Sequence, residues 1–68
     1  MELSARNQLK GTVRSLVKGE VMAEVVVEIG GGNTVVAAIT RGSAEALHLK
    51  PGDEVTALVK ATEVMIMK

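Results

Sequence analysis

The most regular alternation of apolar and polar positions lies at residues 20–29. Val21, Ala23, Val25, Val27 and Ile29 take one parity, and Glu20, Met22, Glu24, Val26 and Glu28 take the other. A period of two is the repeat of a β-strand with one buried face. Helix is a poor alternative, because the β-branched run Val25-Val26-Val27 loses side-chain freedom against a helical turn. Gly30-Gly31-Gly32-Asn33 then reads as a turn, and Thr34 to Thr40 as a second strand with Val35, Ala37 and Ile39 on one face. Upstream, Ser4 to Val17 reads as a long first strand in which Leu9, Val13 and Val17 share a parity. Gly11 interrupts it, and a glycine inside a strand marks a bulge, a bend or a close backbone approach. Lys18-Gly19 turns into the next strand.

Past Thr40 the period changes. Residues 42–47 (Gly-Ser-Ala-Glu-Ala-Leu) carry a short helical signal, with Thr40 or Ser43 as N-cap and Glu45 in the first turn. Lys50-Pro51-Gly52-Asp53 places proline and glycine at the centre of a type II turn. Glu54 to Lys60 follows as a strand with Val55, Ala57 and Val59 aligned, and Glu63 to Met67 as a last one with Val64 and Ile66 aligned. Three strands, a short helix and two strands are the element order of an all-β, OB-like five-stranded barrel. No linker, low-complexity tract or internal repeat divides residues 1–68, which read as a single domain.

Size adds a constraint. A 68-residue chain buries about 60% of the surface exposed when unfolded, and its folding balance lands near zero without a staple. Cysteine is absent and His48 is the only histidine, so neither a disulfide nor a structural zinc is available. Oligomerisation is the remaining route, and a 47% hydrophobic composition favours it. The formal net charge is zero and there are no aromatic residues. A nucleic-acid partner would thus find neither a steering field nor a stacking platform. No apolar run approaches the roughly 20 residues of a membrane span. The opening Met1-Glu2-Leu3-Ser4-Ala5-Arg6 has no apolar signal-peptide core, so a cytoplasmic setting is expected.

Catalysis is poorly supported. A Ser-His-acid arrangement would have to recruit His48, which reads instead as a helix C-terminal residue. Glu20, Glu24 and Glu28 could hold a hard cation but read as a solvated strand face. The glycine run is followed by no Lys-Ser/Thr and opens no helix, so it is no phosphate loop. Met65 and Met67 could be soft metal ligands, but fit a subunit interface better.

Anion binding has more to recommend it. Ser4 and Arg6 are two residues apart, so in a strand both face one way, a hydroxyl donor beside a planar guanidinium fork. Lys60 ends a strand and is followed by Ala61-Thr62, whose amides can turn outward. Ser43 opens the helix, where free N–H groups favour anions. Each feature also has a plainer reading, as a solvated charge or a helix cap.

The stretch Ser4-Ala5-Arg6-Asn7-Gln8-Leu9-Lys10-Gly11 resembles the opening of the molbindins (Mop), small molybdate-binding proteins with a TOBE-type domain. The resemblance continues through Thr12-Val13, the glycine-rich hairpin, Ala38-Ile39-Thr40 with Ser43, Leu47 to Gly52, and Leu58-Val59-Lys60-Ala61, and so covers essentially the whole chain. It implies an OB-like barrel assembled as a hexamer, a trimer of dimers. Molybdate, and usually tungstate, would bind at the subunit interfaces, for storage or homeostasis and without an organic cofactor. Ser4, Ala5 and Arg6 match the opening part of that site, Ser43 a serine after Ile-Thr, and Lys60 and Ala61 the Lys-Ala or Lys-Ser pair. Ala61 would donate only its backbone N–H. The family also has oxyanion sites near its threefold axis, for which Lys18, Gly19 and Glu20 are weak candidates here.

The chemistry agrees with that set. Molybdate is a tetrahedral dianion, and a site of cations, hydroxyls and amides without a carboxylate suits it. Sulfate has the same charge and shape, so discrimination must come from cavity size. Two other readings compete: a ligand-free structural oligomerisation module, and an OB-type nucleic-acid-binding domain.

Overall fold

The computed structural model describes residues 4–68. Met1–Leu3, part of the opening read above as lacking a signal core, lie outside the described residues. The order is β1 (Asn7–Lys18), β2 (Met22–Gly30), β3 (Asn33–Thr40), α1 (Arg41–Ala46) and β4 (Glu54–Val59). The strands form one antiparallel sheet in the order β3-β2-β1-β4.

β1 makes the sheet curl. Its first half, Asn7–Thr12, pairs with β4, and its second half, Thr12–Lys18, pairs with β2. Only Thr12 is paired on both sides, with Glu54 and with Glu28. Gly11 sits where the change of partner brings backbones together. A Cβ there would collide with the Glu28 carbonyl oxygen and lie 2.8 Å from Val27 Cγ1. The close approach expected of this glycine is therefore present.

A bulge at Arg14 corrects the parity read for β1. The register runs Val13 to Val27 and then Ser15 to Val26, leaving Arg14 unpaired. Beyond the extra residue the faces exchange. Leu16 packs against the core, while Val17 is 65% exposed. Within β2 the parity holds, with Ala23, Val25 and Val27 buried and Glu24 and Glu28 exposed, but Val21, read as the first residue of the buried face, precedes the strand and is 71% exposed. Val13, Val25 and Val27 centre the core, with Ile29, Ala37, Ile39, Leu49 and Val55 against them.

The turns follow their sequences. Gly31 and Gly32 form a two-residue hairpin loop with φ of 61° and 76°. Positive φ at both positions is what a type I′ turn demands and what a side chain resists. Thr40 is the N-cap of α1, accepting from the Ser43 amide at 3.0 Å. Glu45 is therefore not in the first turn; it pairs instead with Arg41 one turn back. The helix ends with Ala44 buried, the His48 amide donating to the Glu45 carbonyl and the Leu49 amide to that of Ala44. These two bonds are a Schellman closure, with His48 in the left-handed position at φ 53°.

The strand expected at Glu63 to Met67 is not formed, so the sheet has four strands rather than five. Residues 61–63 make a single 3-10 turn, and Val64 to Lys68 are exposed and unpaired. Alternation of Val64 and Ile66 gives a strand its faces but not a neighbour to bond with. A groove of about 640 Å³ consequently stays open between β3 and β4, lined by the inward side chains of both.

Candidate functional site

The ends of β1 and β4 bring two candidate segments together. Asn7 pairs with Val59, and the Asn7 side-chain Nδ2 donates to the Val59 carbonyl at 3.2 Å. That pair ends the ladder, so Arg6 directly precedes it on one chain end and Lys60 directly follows it on the other, while Ala61 already turns into the 3-10 helix. Ser4, Ala5 and Arg6 precede β1 rather than belonging to it, so strand pairing does not enforce their common face. Exposure still alternates, with Ser4 and Arg6 exposed and Ala5 half-buried.

Two cations thus stand on neighbouring strand ends. Among the described residues the one ion pair is Arg41–Glu45, so neither Arg6 nor Lys60 is paired with a carboxylate among them. Adjacent like charges repel, and an anion between them would relieve that repulsion. Lys60 also leads into the 3-10 turn, where the Glu63 amide returns to the Lys60 carbonyl at 2.9 Å. That bond uses the third amide of the turn and leaves those of Ala61 and Thr62 outside the turn's own hydrogen bonding.

Ser43 lies elsewhere, in the first turn of α1 beyond the end of β3. The Thr40 and Ser43 hydroxyls are hydrogen-bonded to each other at 2.7 Å on the exposed first turn. No hydrogen bond among the described residues joins Ser43 to Arg6 or Lys60. Strand pairing thus brings the segment before β1 next to the end of β4, while Ser43 sits on α1.

The Lys18-Gly19-Glu20 turn is built differently. The Gly19 amide is engaged with the Met22 carbonyl at 2.7 Å, and the Gly19 carbonyl accepts from Arg41 Nη1 at 3.3 Å. Lys18 remains an exposed donor, and Glu20 is an exposed acid that repels an anion. Arg41 ties this turn to α1, since its amide also donates to the Val21 carbonyl at 2.8 Å. Its guanidinium hydrogen bond to Glu45, and then its charge, hold the Glu45 carboxyl below the usual carboxylate value; slight burial opposes this and Lys18 assists. The i,i+4 spacing of Arg41 and Glu45 was readable in the sequence. The Asn7 clip had no such signal, because a side chain bonding across a ladder leaves no period.

Among the described residues no group of three His, Asp or Glu stands close enough to hold a metal ion, so Glu20, Glu24 and Glu28 form no such cluster. A concavity of about 560 Å³ over Gly11 is lined by Lys10, Thr12, Glu54 and Thr56 but by none of the donor set. No helix of the described residues is long and apolar enough to cross a membrane.

Residues 3–66 match the family model described as the TOBE domain. The chain is 57% identical over 67 residues to molybdenum-pterin-binding protein 2 of Clostridium pasteurianum, covering 98% of each. The chain belongs to the molbindin (Mop) family of TOBE domains. The molbindin fold extends to solved structures. A molybdate-binding protein from Sporomusa ovata superposes with a TM-score of 0.93 at 53% identity, with all of both chains covered. The cytoplasmic molybdate-binding protein ModG, with molybdate bound, superposes with a TM-score of 0.85 at 41% identity over 90% of this chain and 43% of that one. These molbindin relatives are named as binding proteins, and the mostly-β fold with one short helix is common to them and this chain.

Proposed function

We propose that this chain, as a single domain over residues 1–68, binds molybdate and its isostere tungstate at the subunit interfaces of a cytoplasmic homo-oligomer, and serves molybdenum storage or homeostasis. The carrying observation is the pair of cations at adjacent strand ends, Arg6 and Lys60, which flank the Asn7–Val59 pair and neither of which is in an ion pair among the described residues. Ser4 and the amides of Ala5 and Ala61 add neutral donors around a tetrahedral dianion. Ser43 lies on α1 rather than at these strand ends, and a neighbouring copy would bring its own Ser43 to complete the site. Binding across the boundary couples ligand to assembly, because an anion held only by the assembled state stabilises it by mass action. A hexamer built as a trimer of dimers is the assembly this reading favours, with no nucleic acid, membrane or catalytic step involved.

Isothermal titration tests it. Arg6→Ala and Lys60→Ala each remove a charge-assisted contact of roughly 1.5–3 kcal/mol, a loss of about 10- to 100-fold in affinity. Absence of heat with both molybdate and tungstate overturns the reading.

The names of the Clostridium relatives favour a second reading, in which the ligand is molybdenum carried on a pterin. A pterin is a flat aromatic ring, and these 68 residues contain no aromatic side chain to stack on it. The oxyanion reading therefore stands first. Competition between tungstate and a free pterin, followed by pterin fluorescence, separates the two.

A further inference from the structure

α1 is only six residues long, and a helix so short does not hold its own place. Its position is set by what ties it down. Thr40, which ends β3 opposite Met22 of β2, accepts from the Ser43 amide at 3.0 Å, and the two hydroxyls are bonded to each other. Ala44 is the buried residue of the helix. Arg41 supplies the remaining tie. Its amide donates to the Val21 carbonyl at 2.8 Å, its Nη1 to the Gly19 carbonyl at 3.3 Å and its Nε to Glu45 Oε1 at 2.8 Å. The planar guanidinium thus serves two acceptors with two different nitrogens, one on the β1–β2 turn and one a helical turn further on.

We propose that Arg41 is a positioning residue for the oxyanion site: by latching α1 to the β1–β2 turn, it fixes where Ser43 is presented to a neighbouring copy. This deepens the reading of Ser43 as a donor given above and rests on it. Arg41 and Ser43 share the exposed first turn of α1, so a swing of the helix about Thr40 that the latch resists would carry Ser43 with it. A donor has to be held within about 0.5 Å of its productive place, and here the ligand's other contacts are fixed by a different copy. Arg41 acts through Ser43 rather than on the anion, since its Nε and Nη1 are engaged within the chain. The latch adds little to folding itself. The Arg41 and Glu45 side chains are 46% and 50% exposed, and ion pairs in that setting contribute little to stability. Its consequence is the place and direction of the helix.

A double-mutant cycle on the full chain, read by calorimetric titration with tungstate, tests the latch. Arg41→Met keeps an unbranched stem and removes the guanidinium bonds. Ser43→Ala should weaken tungstate binding about tenfold, and Arg41→Met about threefold or more. The double variant Arg41→Met/Ser43→Ala should bind no more weakly than Ser43→Ala alone, because a residue that acts through another has nothing left to act through. Thermal melts should fall by the same small amount in both backgrounds, which separates folding from positioning. Arg14→Met is the control for lost charge: Arg14 is exposed at the bulge and unpaired in the ladder, and its removal should leave the affinity unchanged. An unchanged affinity in Arg41→Met, an equal loss with and without Ser43, or an equal loss in Arg14→Met overturns the latch and leaves the donor role of Ser43 standing. Full affinity in Ser43→Ala, or no tungstate binding by the unsubstituted chain, overturns that donor role and the latch together.

Discussion

Asn7 faces Val59 across the β1–β4 ladder and is clipped to it by its own side chain, Nδ2 donating to the Val59 carbonyl at 3.2 Å. This half-buried bond fixes the register of the two strand ends on which Arg6 and Lys60 stand. Asn7→Ala removes it and is expected to cost about 0.5–1.5 kcal/mol. Asn7→Asp keeps the shape but places a carboxylate where the dianion is proposed to sit. Calorimetric titration should therefore show tungstate affinity falling further in Asn7→Asp than in Asn7→Ala, even where the aspartate melts higher. Equal affinities in the two variants would disconnect this position from the anion.

Gly11 is required for space rather than for turn geometry. A methyl group there meets the Glu28 carbonyl oxygen, a backbone atom that cannot swing aside. Gly11→Ala is expected to lose about 1–3 kcal/mol from overpacking, roughly 4–8 °C of melting temperature per kcal/mol in a domain of this size. Gly42→Ala is the control. It lies in α1 with nothing within 4 Å of an added Cβ, and alanine there should gain about 0.5–1 kcal/mol. Thermal melts with the two alanines shifting in the same direction would refute this assignment.

What the sequence made legible follows from which forces leave a period. β2 was readable because one face is buried and the other solvated along its length, so Val25 and Val27 alternate with Glu24 and Glu28. The bulge at Arg14 was not, because an extra residue only shifts the phase of a pattern in which both Leu16 and Val17 are apolar. The missing fifth strand was misread because Val64 and Ile66 encode a strand's faces without naming its partner. At the site, residue types and family resemblance singled out Ser4-Ala5-Arg6 and Lys60-Ala61. Only the Asn7–Val59 register showed that these segments lie at neighbouring strand ends.

His48 occupies the left-handed position that closes α1, with φ 53°. A side chain in that conformation costs about 1–2 kcal/mol. Glycine avoids the cost while loosening the unfolded chain by about 0.5–1 kcal/mol. His48→Gly should therefore leave the closing bonds to Glu45 and Ala44 intact and raise stability by up to about 1 kcal/mol. Denaturant titration checks it, and a lowered midpoint would mean that the imidazole makes a contact worth more than the strain.

Arg41 joins α1 to the β1–β2 turn, and Glu45 holds its guanidinium at 2.8 Å. The Glu45 carboxyl titrates below its ordinary value of 4.5, chiefly because Arg41 donates a hydrogen bond to it and then because of the Arg41 charge. A carboxyl whose pKa is lower in the folded chain than in the unfolded one binds fewer protons when folded. Its stabilising contribution is thus complete above 4.5 and is lost as pH falls through the lowered folded value. The pair is half-exposed, so the contribution is small and screened by salt. The melting difference between this chain and Glu45→Gln should be positive at neutral pH in low salt. It should shrink in high salt and close as pH is taken well below 4.5. A difference that persists unchanged through that acid range would show that Glu45 acts through packing rather than through its charge.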